Sequence, residues 1–147
     1  MSEALDASLR LLRAQAALAR RFDARLSGLH GVSLADFTLL LRLGQAPGGR
    51  MRRVDLAEAL GLTASGVTRG LAPLERIGLV SREPDARDAR VAYAALTATG
   101  RQRLTEMRAT AEETAAELFA APAWGTEDIA LLSGLLTRLG GIGLPGH

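Results

Sequence analysis

Residues 54–69 read VDLAEALGLTASGVTR, and this stretch decides the predicted fold. Its two halves each carry apolar residues at helical spacing. Gly61, between the halves, suits the left-handed conformation of a tight turn, and Thr63 is suited to cap the second helix. Together they predict a helix-turn-helix, in which a small residue is needed where the helices cross. The residues expected to pack inward are Leu56, Ala57, Leu60, Leu62 and Val67.

The stretch that follows, residues 79–96 (LVSREPDARDARVAYAAL), predicts a β-hairpin. Residues 79–83 and 90–96 are expected to form the strands, and the polar residues 84–89 form the turn between them. A helix-turn-helix followed directly by a hairpin is a winged helix. The predicted fold is therefore mainly α with a small β-hairpin.

Helical patterns flank this unit on both sides. Residues 5–29 carry one long apolar stripe, which corresponds to roughly 36 Å of helix. Ser33 and Asp36 predict the start of a second helix that ends near Gly44. Thr97 is expected to cap a long fifth helix, and the sixth is expected from Thr126 to Gly140–Gly141. The first stripe needs a partner, and packing within the chain competes with packing against a second subunit.

The recognition helix of a helix-turn-helix lies in the major groove with its early residues facing the bases. In this sequence those positions include Ser65, Thr68 and Arg69. An arginine there can make a bidentate contact to guanine. The alternative is an ordinary pair of helices with a solvated arginine, but the hairpin that follows favours double-stranded DNA as the partner.

The hairpin turn has its own arginines, Arg87 and Arg90. A turn arginine can enter the narrow minor groove, whose negative potential attracts it. Asp85 and Asp88 lie beside them, so at least one carboxylate is expected to pair with an arginine and to shape the turn. A solvated turn without a role in DNA binding stays open on this motif alone.

Composition excludes several classes of function. The chain has 147 residues and no cysteine, which removes disulfides, thiol catalysis and thiol redox sensing. With only His30 and His147, no multi-histidine metal site is expected, and we expect no cofactor. His30 has no identifiable triad partners, so an enzyme is a remote alternative. No apolar run of 18 residues and no signal region occur, so no membrane association and a cytoplasmic location are expected.

The net charge of +2 hides an uneven distribution. Residues 50–103 hold ten arginines against six acids, whereas residues 104–147 hold two arginines against six acids. A basic middle is expected of a nucleic-acid-binding unit. Within it, Arg50, Arg52 and Arg53 precede the helix-turn-helix; they are placed to grip phosphate, although a solvated charge run is an equal alternative.

From residue 5 to residue 139 the chain resembles the MarR family of winged helix-turn-helix transcriptional regulators. No single motif carries the resemblance, which rests on the joint order of several. The matching stretches are residues 54–62, 65–69 and 74–80, the turn DxRDxR at 85–90, and the exit LTxxG at 96–100.

The resemblance implies a single domain over residues 1–147 that forms a homodimer. Residues 5–30 and 98–140 would be the dimerisation helices, and residues 33–96 the DNA-binding lobe. Such regulators are usually repressors that bind a palindromic operator and are released by a small lipophilic or phenolic effector. Carried over to this sequence, the DNA contacts would come from Ser65, Thr68 and Arg69, and from Arg87 with Arg90. Arg53 is added as a phosphate contact.

Two residues depart from the family pattern inside the recognition helix, namely Gly70 and Pro73. A proline in a helix interior loses a hydrogen bond and clashes with the carbonyl four residues earlier, here that of Arg69. The sequence therefore predicts a kink at residues 69–73. Val54 also leaves the preceding helix without a polar cap.

The remaining candidates allow two interpretations each. His30 and Phe37 lie near the expected effector region, but a solvated or capping histidine and a core phenylalanine are the simpler interpretations. Trp124 suits a dimer anchor or packing over its own chain. A non-specific architectural DNA-binding protein is the alternative to the sequence-specific regulator.

Overall fold

A computed structural model of the chain describes residues 1–120 and 122–140. The last residues of the expected domain, including Gly141 and His147, lie outside that range. The described part is mainly helical with one small antiparallel sheet. In chain order the elements are α1 (Glu3–His30), α2 (Leu34–Gln45), a 3-10 turn (Pro47–Gly49), β1 (Arg50–Arg52), α3 (Arg53–Leu60), α4 (Ala64–Arg76), β2 (Val80–Pro84), β3 (Ala92–Leu96), α5 (Ala98–Leu118) and α6 (Thr126–Gly140).

The predicted hairpin is part of a three-stranded sheet with strand order β1-β3-β2. The hairpin strands begin one or two residues later than the sequence predicted. The third strand, β1, was missed because it has three residues, with one apolar residue between two arginines. It pairs with β3 so that Met51 lies opposite Ala94, and this pairing closes the sheet on the side of α2 and α3.

The chain divides into two compact units, of which the first is Met1–Ala111 and the second starts at Glu112. The first unit holds one apolar core, formed where α2, α3 and α4 pack on the sheet. Its completely buried side chains are leucines for the most part, and burial of each leucine contributes roughly 1.5–3 kcal/mol. The largest of these side chains are Leu26, Leu40, Leu43, Leu56, Leu71, Leu74 and Leu79.

The helix boundaries follow from local capping. Ser33 forms a complete capping box with Asp36 at the start of α2, as predicted. The Oγ1 of Thr97 accepts a hydrogen bond from the Gly100 N–H at 2.9 Å and starts α5. Gly44 does not end α2, which continues to Gln45.

Candidate DNA interface

The helix-turn-helix consists of α3 and α4, joined by a tight turn. Gly61 has φ of 64°, the left-handed conformation predicted for it, and the N–H of Leu62 donates to the Ala57 carbonyl at 2.8 Å. Ala57 is buried where the helices cross. Leu62 was expected to be buried at this corner, but it is 45% exposed and lies partly over Gly66.

The turn leaves the early residues of α4 on the surface. Thr63 caps the helix, its Oγ1 accepting a hydrogen bond from the Gly66 N–H at 3.0 Å. One face of α4 is buried in the core through Val67, Leu71 and Leu74. The opposite face exposes the three residues that the sequence predicted to meet DNA, Ser65, Thr68 and Arg69.

Arg69 is the cation among these three exposed residues. No carboxylate among the described residues pairs with it, so its guanidinium keeps all its donors for a ligand. The expected kink does not interrupt the helix, since α4 runs without a break through Pro73. Pro73 lies three residues before Arg76, the last residue of α4, so less than one full turn of helix follows it. Gly70 faces Leu39 of α2: a Cβ at position 70 would lie 3.4 Å from Cδ1 of Leu39.

Arg53 lies against α4 rather than in solvent. Its Nη1 forms an ion pair with Oε1 of Glu75 at 3.2 Å, and its Nη2 donates to Oγ1 of Thr68 at 3.4 Å. Its side chain is only 17% exposed. The arginine expected to grip phosphate therefore connects the first turn of α3 with the recognition helix.

The wing tip, residues 85–91, is shaped by two aspartates. Oδ1 of Asp85 accepts hydrogen bonds from the N–H groups of Arg87 at 2.7 Å and Asp88 at 3.2 Å. Asp88 accepts from the Arg90 N–H and forms an ion pair with its guanidinium at 3.2 Å. The expected aspartate–arginine pairing is confirmed at Asp88. These backbone hydrogen bonds lower the pKa of both carboxyls, that from Arg87 for Asp85 and that from Arg90 for Asp88.

The two wing arginines differ in their freedom. Arg90 is 91% exposed, but its guanidinium is held by Asp88. The Arg87 guanidinium is exposed, with no acidic partner in the described part of the chain. The wing therefore presents Arg87 as its available cation.

The sequence grouped Arg50 with Arg52 and Arg53; in the structure Arg50 and Arg52 belong to β1, whereas Arg53 begins α3. Arg50 lies over the Tyr93 ring, 4.0 Å from its centroid, and pairs with Glu83 at 3.5 Å. Arg52 is exposed and lies opposite Tyr93 in the sheet. The alternation Arg-Met-Arg was the one local signal that could have revealed the strand.

His30 and Phe37, the two candidates for effector binding, already have contacts within the first unit. His30 is the last residue of α1, and its Nε2 lies 2.7 Å from Oγ1 of Thr110 on α5. Its carbonyl accepts a hydrogen bond from Arg103 at 2.8 Å. Phe37 is a core residue, 7% exposed.

The helices at the two ends of the chain expose apolar side chains. On α1, in the first unit, these are Leu5, Leu12, Leu18 and Leu29. The second unit exposes its own set on α6, and Trp124 packs edge-on against Phe119 with ring centroids 4.9 Å apart. Trp124 therefore packs over its own chain and is still 39% exposed. The exposed apolar side chains of α6 are Ile129, Leu131, Leu135, Leu136 and Leu139.

In residues 1–120 and 122–140 no three histidine or carboxylate side chains come together as a metal site. No helix in the same ranges has the length and hydropathy to cross a membrane.

Comparisons with known proteins agree on one fold. The family model described as MarR family matches residues 30–91. The solved structure of the transcriptional regulator PA4135 is 30% identical, with a TM-score of 0.81 over 93% of this chain and 97% of that one. No curated protein matches the chain by sequence.

Two of the similar structures were solved with DNA. Sco3205, a MarR family regulator from Streptomyces coelicolor, has 22% identity and a TM-score of 0.89 over 99% of this chain and 95% of that one. A mutant MarR from E. coli, complexed with operator DNA, has 22% identity and a TM-score of 0.77 over 93% of this chain and 94% of that one. At this identity both comparisons concern the fold.

Proposed function

Because this chain belongs to the MarR family of DNA-binding transcriptional regulators, we propose that it recognises a palindromic operator as a homodimer and releases it on binding a small effector. The family comprises regulators rather than enzymes. The observation that carries the proposal is the exposed face of α4, on which Arg69 has no acidic partner among the described residues.

In the proposed complex, α4 enters the major groove with Ser65, Thr68 and Arg69 towards the bases. Arg69 recognises a guanine through two parallel hydrogen bonds. Arg53 supports this contact from behind, because it already bonds Thr68 and pairs with Glu75. The free amides at the start of α4 add a phosphate contact.

The wing extends the interface into the adjacent minor groove. Arg87 enters the groove, and Arg90 assists after exchanging its bond with Asp88 for a phosphate. Asp85 holds the turn through hydrogen bonds to two backbone N–H groups. These bonds fix the backbone from which the Arg87 side chain extends.

Homodimerisation is supported by the exposed apolar side chains of α1 and α6, helices that lie within the expected dimerisation segments, residues 5–30 and 98–140. Contiguous exposed apolar surface marks interaction sites. A symmetric dimer would place two α4 helices about 34–36 Å apart, on successive turns of one palindrome. We propose the cytoplasm as the location in which the protein binds its operator.

We further propose that the protein is a repressor whose effector is small and lipophilic or phenolic. Its site would include His30 and Phe37. A hydroxyl-bearing ligand would compete with Thr110 for Nε2 of His30, and an apolar ring would replace contacts of Phe37. Binding would then change the packing of α1 and α2 in the first unit.

The test compares duplexes that contain two half-sites, one half-site or none, using DNA that flanks the gene of this protein. The proposal predicts tight binding only to the two-site duplex, with a steep decrease in affinity as salt rises. Equal, salt-sensitive binding to all three duplexes would support a non-specific architectural protein instead.

A further inference from the structure

An open cavity of about 490 Å³ lies within the first unit, away from the exposed face of α4. It is bounded by the end of α2, the 3-10 turn, β1, the start of α3 and Tyr93 of β3. His30 and Phe37, the proposed effector residues, do not line it. The cavity is therefore separate from the effector site proposed above.

Arginines from two elements converge on this cavity. Arg42 comes from the last turn of α2, and Arg50 and Arg52 come from β1. Arg50 is engaged by Glu83 and by the Tyr93 ring. Arg42 and Arg52 are exposed and have no ion pair with any described residue. Asp55 is the acidic residue among the described lining, so the cavity keeps an excess of positive charge.

The rest of the lining is apolar or neutral. Ala46, Pro47 and Met51 also line the cavity, and Gln45 adds an amide. Met51 is half-buried, and its side chain packs against the apolar core. Guanidinium groups match the geometry of phosphate and carboxylate oxygens, and an apolar wall suits the body of an organic molecule.

We propose that this cavity binds a small organic anion, whose phosphate or carboxylate group is held by Arg42 and Arg52 while its apolar part lies against Ala46 and Pro47. Neither guanidinium forms an ion pair with a described residue, and Arg52 interacts with Asp88 only at longer range. The arrangement favours a ligand with both parts over inorganic phosphate, which cannot use the apolar wall.

The position of the cavity connects it to DNA binding, a step that rests on the proposed function. Arg52 is the N-cap residue of α3, and the next residue, Arg53, holds Glu75 and Thr68 of α4. A ligand that draws Arg52 towards the cavity shifts the start of α3, and with it the contact that supports the recognition helix. Occupancy changes operator affinity to the extent that the ligand prefers one position of α3.

The first experiment needs no DNA. Phenyl phosphate is titrated into the full-length protein at constant ionic strength, and amide and Met51 methyl signals are followed by NMR. Inorganic phosphate and phenol serve as the separate halves of the probe. We expect saturable shifts at Met51 and Tyr93 with phenyl phosphate, and at least tenfold weaker binding of either half.

Three variants locate the site. Arg42→Gln and Arg52→Gln are expected to weaken phenyl phosphate at least tenfold, whereas Arg13→Gln, an equal charge change on exposed α1, leaves its affinity unchanged. Shifts that do not saturate, or an equal effect of Arg13→Gln, would overturn the site. Thermal melting of each variant shows whether the fold is intact.

A second arm distinguishes a small anion from the phosphate of DNA. Operator affinity is measured across a salt series with and without phenyl phosphate. We expect phenyl phosphate to change the affinity of the wild type at least threefold and to leave the affinity of Arg52→Gln unchanged. A salt slope lowered by about one in Arg42→Gln or Arg52→Gln would identify a DNA phosphate contact and overturn the proposal. If no operator were bound at all, the proposed function would fail while the NMR titration still decided the site.

Discussion

Arg53 in the first turn of α3 and Glu75 in the last turn of α4 form an ion pair, with 3.2 Å between Nη1 and Oε1. The pair connects two helices at residues 22 positions apart, and the same guanidinium reaches Thr68 on the DNA-facing side of α4. It fixes the recognition helix against its neighbour from the side opposite to the turn at Gly61.

We therefore predict that Arg53 acts by positioning α4. Glu75→Gln and Arg53→Gln should both lower operator affinity by a similar factor, roughly threefold to tenfold, because either change breaks the same pair, whose worth is about 1 kcal/mol. Anisotropy titrations across a salt series would measure it. The salt slope should be unchanged in both variants. A slope reduced by about one in Arg53→Gln alone would instead identify Arg53 as a phosphate contact.

The wing depends on the Asp85 carboxylate as a hydrogen-bond acceptor. Asp85→Ala removes both backbone hydrogen bonds and should loosen the tip, whereas Asp85→Asn keeps an oxygen at Oδ1. We expect faster amide exchange at residues 87 and 88 and weaker DNA binding in the alanine variant, with the asparagine variant close to wild type. Equal exchange rates in the two variants would show that Asp85 does not shape the tip.

The same carboxylates predict a pH dependence. Hydrogen bonds to the backbone N–H groups of Arg87 and Arg90 lower the pKa of Asp85 and Asp88, respectively, so the folded tip favours the charged forms. Their contribution is complete above the usual aspartate pKa and is lost as the pH falls through the lowered values. NMR signals of the tip should therefore stay constant from pH 7 to pH 5 and change below about pH 4. A transition of the tip near pH 6 would contradict this assignment.

Gly100, in the first turn of α5, lies close to the backbone of Leu79, the residue before β2. A Cβ at this position would collide with the carbonyl oxygen of Leu79. Gly100→Ala should lower the free energy of unfolding by roughly 1–3 kcal/mol, measured by urea denaturation. Gly28→Ala is the control: a Cβ there meets no atom within 4 Å beyond the backbone of its own helix, so the substitution should stabilise the protein by about 0.5–1 kcal/mol. A stabilised Gly100→Ala would refute the close approach.

Much of this architecture could be predicted from local patterns. The turn at Gly61, the caps Thr63 and Thr97 and the order of the helices follow from chemistry within a few residues of each position. What was missed depends on distant partners. Strand β1 exists because Arg50 to Arg52 pair with β3 more than 40 residues later, and its own three residues carry almost no strand signal.

The same distinction holds for the candidate site. The exposed face of α4 followed from helical spacing, but the pairing of Arg53 with Glu75 is a tertiary contact that no local pattern indicates. At Pro73 a local rule predicts a kink; α4 continues as a helix through this residue, and the kink itself stays a prediction. Val67, Leu71 and Leu74 anchor α4 in the core on both sides of the proline-containing turn.

Dimerisation is predicted to depend on the exposed apolar side chains of α6. Leu131, Leu135 and Leu139 recur every four residues and are 47–63% exposed. Leu135→Glu should yield a monomer by sedimentation and lose operator binding, because a monomer reaches one half-site. Thr137→Glu adds the same charge at a polar position and should stay dimeric. A dimeric Leu135→Glu protein would exclude this helix from the interface.

The most direct test of sequence-specific recognition by α4 compares Arg69→Ala with Arg76→Ala, a second exposed arginine of the same helix. Affinity for the operator and for a random duplex is measured by anisotropy at one salt concentration. Loss of a bidentate guanine contact costs about 1–3 kcal/mol. Arg69→Ala should therefore weaken operator binding by roughly 5-fold to 150-fold and leave random DNA nearly unchanged, while Arg76→Ala keeps the preference for the operator. An Arg69→Ala protein that still prefers the operator as strongly as wild type would contradict recognition through this residue.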